Sequence, residues 1–174
     1  MMMQTNDLWV TWDVYHRQIE ELALNIADSN LQFDQLLCLA RGGLRIGDVL
    51  SRILKLPLAT LAISSYRENS GLTQGTLETA QHISMTGREL SGRILVIDDL
   101  VDSGLTLKAT LSYLQEHHPQ VQEVKTAVLW YKASSPIAPD FFVEYLTHNP
   151  WIHQPFEVYD TLTIEQLRDK LKQA

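Results

Sequence analysis

Arg93-Ile94-Leu95-Val96-Ile97-Asp98-Asp99-Leu100-Val101-Asp102-Ser103-Gly104-Leu105-Thr106-Leu107 is the run from which the fold of this chain is read. Ile94, Leu95, Val96 and Ile97 are apolar in succession, the pattern of a parallel strand buried on both faces. Leu107, Leu111 and Leu114 then recur at helical spacing, so Ser103, Gly104, Leu105 and Thr106 stand where a helix begins. A helix start carries unpaired backbone N–H groups and the positive end of the macrodipole, which suits a phosphate. Gly104 lets the backbone approach closely, and the hydroxyls of Ser103 and Thr106 add donors.

The acids between strand and helix ask for a second ligand group. Asp98 and Asp99 are neighbours, so extended chain would point them to opposite sides of the sheet. Two charges at the end of a hydrophobic strand are costly unless they meet cations or hydroxyls. A ribose offers vicinal hydroxyls to a carboxylate, and Mg²⁺ prefers oxygen ligands. Acids for a ribose beside a cradle for its 5′-phosphate describe a site for a sugar phosphate.

Composition narrows the setting. The 174 residues suffice for one domain with a full core, and 45% hydrophobic with 20% charged residues is ordinary for a globular protein. Lys and Arg total 14 against 21 Asp and Glu, a balance of −7 that disfavours broad binding to nucleic acid or anionic lipid. The single Cys38 lies in an apolar run and reads as an inert core thiol, with the cytoplasm as the natural compartment. The N-terminus lacks the regions of a signal peptide, and no apolar run reaches membrane-spanning length. No Cys or acid completes a zinc set near His117-His118 or near His148 and His153, so no zinc site is expected.

Around the central run the chain alternates strands and helices. Residues 13–27 carry Tyr15, Ile19, Leu22, Ala23 and Ile26 on one helical face. A short buried strand at 36–40 runs into Arg41-Gly42-Gly43 and a helix through Ile46, Val49, Leu50, Ile53 and Leu54. A further strand is expected at 57–65, a polar loop at 67–78, and a returning strand of a hairpin-like flap at 79–84. Strands at 124–130 and 141–146 follow, then a Pro-punctuated stretch at 149–156 expected to be irregular. A tail helix begins at Thr163, where Gln166 completes a capping box and Leu162 and Leu167 form a hydrophobic staple. This alternation implies an α/β fold, an open and mainly parallel sheet with helices on both faces. Such sheets bind ligands beyond the carboxyl ends of their strands, where Arg41, Asp98, Asp99, Asp102 and Lys132 all fall.

From Ile97 to Thr106 the central run resembles the phosphoribosyl-pyrophosphate (PRPP) signature of the type I phosphoribosyltransferases. The resemblance covers most of residues 36–160. Arg41-Gly42-Gly43 is similar to the family's pyrophosphate loop, and Ser64-Ser65-Tyr66 to the entry of its flexible catalytic loop. Lys132, with Trp151-Ile152 followed by Gln154-Pro155-Phe156, resembles the purine-recognising parts of the xanthine–guanine and hypoxanthine–guanine branch.

The resemblance implies a single domain over 1–174 with a flexible loop at about 67–78 and a base-recognising hood at about 149–160. It implies transfer of phosphoribose from PRPP to N9 of a 6-oxopurine, with pyrophosphate released, Mg²⁺ required, and a homodimer or homotetramer. It assigns Asp98 and Asp99 to the ribose hydroxyls and Mg²⁺, and Asp102 to general acid/base work near the purine N7. Ser103, Gly104, Leu105 and Thr106 would hold the 5′-phosphate, and Arg41, Gly42 and Arg67 the pyrophosphate. Lys132 would donate to a 6-oxo group, Trp151 would stack on the base, and the Ile152 main chain would read the 2-position.

The chain departs from the family in one place. Between Tyr66 and Arg88 its only Lys or Arg is Arg67, at the root of the loop. Plainer readings stand beside the assigned ones: a solvated Lys132, a packing Trp151, an Arg41 paired with an acid. At the level of function the rivals are an orotate- or adenine-type transferase, a PRPP-sensing regulator of the same fold, and a binding protein with a dead site.

Overall fold

The structure, a computed structural model, describes residues 7–65, 77–80 and 82–172. Contacts divide the chain into two compact units, 1–17 with 150–174 and 18–149.

The larger unit is built on a sheet. Its parallel strands are β2 (Gln35–Ala40), β3 (Leu58–Ser65), β6 (Gly92–Ile97), β8 (Val121–Lys132) and β9 (Phe141–Leu146). They lie side by side in the order β3-β2-β6-β8-β9, with β6, the central run, in the middle. Helix α2 (Gly43–Leu54) connects β2 to β3, and α3 (Leu105–His117) connects β6 to β8.

The pleat sends these helices to opposite faces. Leu37 and Leu39 of β2 join Ile94 and Val96 of β6 and Leu114 of α3 in one buried cluster. Between them Cys38 points the other way, where a Cβ on Gly47 of α2 would run into its sulfur. Burial, then the charges of Asp98 and Asp48, push the Cys38 thiol up to about 12, so it stays protonated. At the amino end of the sheet Asp34 clamps Arg93: its carboxylate accepts from the Arg93 backbone N–H at 2.8 Å and from Nε at 3.0 Å. Those bonds hold the Asp34 carboxyl down at about 2.

Two expected strands differ from what forms. The return at 79–84 is two separate pieces, β4 (Leu77–Thr79) and β5 (Ser84–Met85), each antiparallel to β3. Both pieces run antiparallel along one edge of β3, Thr79 opposite Ile63 and Ser84 opposite Thr60, and the Ala80 N–H still donates to the Ala62 carbonyl at 2.8 Å. The strand expected at 124–130 runs over Val121–Lys132, because β6 and β9 flank it and propagate the ladder past its apolar centre.

The smaller unit pairs β1 (Leu8–Trp9) in parallel with β10 (Ile152–His153), inside the stretch expected to be irregular. Helix α1 (Trp12–Asp28) starts here, and the ring of Tyr15 meets Phe156 edge-on at 5.7 Å. Its expected inward face, Tyr15, Ile19, Leu22, Ala23 and Ile26, is buried throughout. His153 stacks on Trp9 at 3.7 Å and lies 3.3 Å from both Asp7 and Glu157. The chain then turns through α4 (Val158–Thr161) into α5 (Ile164–Lys172). At the start of α5 the Thr163 N–H donates to Gln166 Oε1 at 2.8 Å and the Gln166 N–H to Thr163 Oγ1 at 3.2 Å. The capping box is formed. Among the described residues no helix is long and apolar enough to cross a membrane.

Candidate active site at the strand ends

The site begins where β6 stops. Its ladder with β8 ends at Ile97 opposite Ala127, and a short strand β7 (Leu100–Val101) resumes in the same register, Leu100 opposite Trp130. Between them the chain bends at Asp98 and Asp99. The Asp99 carbonyl still accepts from the backbone N–H groups of Leu129 and Trp130, at 3.0 and 3.2 Å.

That bend overturns one expectation. A Cβ placed on Gly42 would lie 2.5 Å from Asp99 Oδ1 and 2.8 Å from Asp98 Oδ1, so both carboxylates face the same glycine. Extended geometry ends with β6, and the alternation that would separate them ends with it. Each carboxylate also accepts from the next backbone N–H, Asp99 at 2.9 Å and Leu100 at 2.8 Å. Burial first, and the neighbouring Asp99 second, hold the Asp98 carboxyl well above the usual range.

The same contact brings the Arg41-Gly42-Gly43 turn to the acids. Gly43 opens α2 so close to β6 that a Cβ there would strike the Ile97 carbonyl oxygen. The amide end of α2 therefore abuts the acidic bend. The Ala40–Arg41 peptide bond leading into the turn is cis, and Arg41 itself is exposed.

On the other side of the bend lies the turn at Ser103 and Gly104, where a phosphate is expected. Gly104, at φ +74°, precedes α3, which starts at Leu105 as the leucine spacing requires. The Lys108 N–H donates to the Gly104 carbonyl at 2.9 Å, which closes the first helical turn. Val101 lies opposite Tyr131 in the β7–β8 ladder, so Asp102 and Lys132 follow it side by side. Their side chains meet, Lys132 Nζ to Asp102 Oδ2 at 3.5 Å, with Lys132 6% exposed. The solvated lysine is thus excluded: this ammonium is buried against a carboxylate.

Arg41, Gly42, Asp98, Asp99, Asp102, Ser103, Gly104, Leu105, Thr106 and Lys132 all belong to the larger unit, at the carboxyl ends of β2, β6 and β8. Trp151 and Ile152 belong to the smaller one. Trp151 is 54% exposed, and Ile152 is buried in β10. The ladder to β1 uses the carbonyls of Trp151 and His153, at 2.9 and 3.0 Å, which leaves the Ile152 main-chain groups on the opposite edge of β10. Arg67 and most of the loop at 67–78 lie outside the described residues. Sequence reasoning missed Ser134 and Ser135, which follow Lys132 and reach back to Asp102 and Gly104. Two serines after a strand read as loop, and only the β7–β8 register reveals their neighbours.

No group of three His, Cys, Asp or Glu among the described residues is placed to hold a metal ion. Two half-buried carboxylates facing Gly42 fit a hard cation that completes its shell with water and substrate oxygens, the habit of Mg²⁺.

A family model described as a phosphoribosyl transferase domain matches residues 11–161. The chain is 30% identical over 154 residues to a xanthine-guanine phosphoribosyltransferase of Idiomarina loihiensis, with 88% of each chain covered. A purine phosphoribosyltransferase structure from Pyrococcus horikoshii matches with a TM-score of 0.71 at 25% identity, over 87% of this chain and 93% of that one. The fold is also that of a Helicobacter pylori xanthine-guanine-hypoxanthine phosphoribosyltransferase, with a TM-score of 0.72 at 24% identity over 97% and 100% of the two chains.

Proposed function

This chain belongs to the phosphoribosyltransferase family, and we propose that it transfers 5-phosphoribose from PRPP to N9 of a 6-oxopurine in purine salvage. The observation that carries the reading is the meeting of Asp102 with the buried Lys132 beside the phosphate turn. A 6-oxopurine with a proton at N7 presents an acceptor and a donor side by side. A lysine donor next to a carboxylate acceptor complements that pair, and the 6-amino group of adenine does not. The Idiomarina relative, by its name, acts on xanthine and guanine, which supports the same base class.

The chemistry asks the site for alignment and charge. As the bond from the anomeric carbon to pyrophosphate breaks, positive charge develops on the ribose, and N9 forms the new bond to that carbon. The proton leaves the base to Asp102. Holding base and anomeric carbon in line can supply about 7–11 kcal/mol. The amides ahead of α3, with Ser103 and Thr106, take the 5′-phosphate, and Asp98 and Asp99 take the ribose hydroxyls. Arg41, the Gly42 turn and Arg67 receive the pyrophosphate. Mg²⁺, held by Asp98 and Asp99 directly or through water, would neutralise the departing diphosphate. In the smaller unit the exposed face of Trp151 suits base stacking, worth roughly 1–3 kcal/mol, and the Ile152 main chain suits hydrogen bonding at the 2-position.

The test is nucleotide formation from PRPP and Mg²⁺ with xanthine, guanine, hypoxanthine or adenine, run on the wild type and on Asp102→Asn. Nucleotide is expected from the 6-oxopurines and not from adenine. The variant should lose about 10²- to 10⁴-fold in kcat with PRPP affinity little changed. No product from any base would leave a PRPP-sensing regulator as the better account.

A further inference from the structure

The turn after β8 closes on the phosphate turn at three points. Lys132 reaches Asp102 through its ammonium. The Ser134 hydroxyl donates to the Asp102 carbonyl at 3.3 Å. Beneath Gly104 there is no room for a side chain: a Cβ there would lie 2.7 Å from Ser135 Oγ and 3.2 Å from Ile137 Cβ.

Ser135 is the centre of this contact. It is 6% exposed, and its hydroxyl is fully engaged within its own turn. Oγ donates to the Ile137 carbonyl at 2.9 Å and accepts from the Ile137 N–H at 3.2 Å, while the Ser135 N–H donates to the Lys132 carbonyl at 3.0 Å. Ile137 in turn packs into the cluster of Val101, Leu107 and Val128, which flanks the phosphate turn on both sides. The hydroxyl therefore fixes the shape of a turn whose surface is the floor under Gly104, and the same turn begins at the lysine assigned to the base.

We infer that Ser135 is a positioning residue that holds the phosphate turn at Gly104 in register with Lys132, so that the 5′-phosphate and the base are gripped at a set separation. The inference rests on the phosphoribosyl reading of the site. A side chain with no hydroxyl would leave both Ile137 main-chain groups without their partner and let the turn relax away from Gly104. The 5′-phosphate amides would then lose their support, and no atom that touches substrate would have been removed.

The experiment compares wild type with Ser135→Ala and Ser134→Ala in the full chain, by steady-state kinetics with PRPP and guanine, calorimetric titration with ribose 5-phosphate, and thermal melting. Ser135→Ala should raise the KM for PRPP and the Kd for ribose 5-phosphate about five- to tenfold, with the KM for guanine within about twofold. Ser134→Ala, which cuts only the bond to the Asp102 carbonyl and keeps the turn, should move the same constants in the same direction by less. A lowered melting temperature with both substrate constants unchanged would overturn the inference and leave Ser135 a packing residue. If Ser135→Ala does not fold, unchanged constants in Ser134→Ala overturn it. A wild type that binds ribose 5-phosphate yet makes no nucleotide would instead count against the transferase reading, with the titrations still deciding the role of Ser135.

Discussion

Asp98 carries the sharpest conflict between stability and chemistry in this molecule. Asp98 is half-buried beside Asp99, and its carboxyl is held above its ordinary range, first by desolvation and then by that neighbouring charge. A carboxyl whose native value is raised costs nothing below the unfolded range, where it is protonated in both states. The penalty grows as pH rises from the unfolded range to the native value, where only the unfolded chain has ionised, and is constant above it. Asp98→Asn should therefore melt at a higher temperature than wild type at pH 8, with the gain vanishing near pH 3, and should lose transferase activity. Equal melting temperatures at pH 8 would show that the pair is already relieved in the free protein. That this residue faces Gly42 together with Asp99 was not legible in the sequence: adjacency predicts divergence, and only the bend after Ile97 undoes it. The buried Lys132 was half legible, since its position after a strand was plain and its carboxylate partner depended on the β7–β8 register.

At the level of elements, the apolar patterns located the parallel strands and the large helices because each buries a long, periodic surface. Helix α1 shows its predicted five residues inward, and α3 starts at the predicted turn. The two-residue strands β1, β5, β7 and β10 have no such periodicity to read, and each exists only because a neighbouring segment supplies its hydrogen bonds. The close approach of α2 to β2 has the same origin. Gly47 and Cys38 are unremarkable apart, and together they set the distance at which α2 delivers the Gly42 turn to the acids. Gly47→Ala should cost about 1–3 kcal/mol by overpacking. Adding Cys38→Ala should recover part of that loss, so the double variant melts above Gly47→Ala alone. Additive losses in a denaturation series would mean that the two residues do not share the space.

For the molecule as a whole, the carboxyl ends of β2, β6 and β8 meet at one place: an amide-rich turn ahead of α2, two acids after β6, and a second amide-rich turn ahead of α3. On the proposed reading, a ligand with phosphates at both ends of a hydroxylated ring uses all three at once. The net charge of −7 is consistent with a small anionic substrate drawn to local amides and cations rather than with a polyanion spread over the surface. The direct measurement is a crystal structure of the protein soaked with ribose 5-phosphate and Mg²⁺. The phosphate is predicted on the backbone amides of residues 104–106 and the ribose hydroxyls on Asp98 and Asp99. A bound sugar phosphate elsewhere, with that strand tip closed over by protein, would contradict the account.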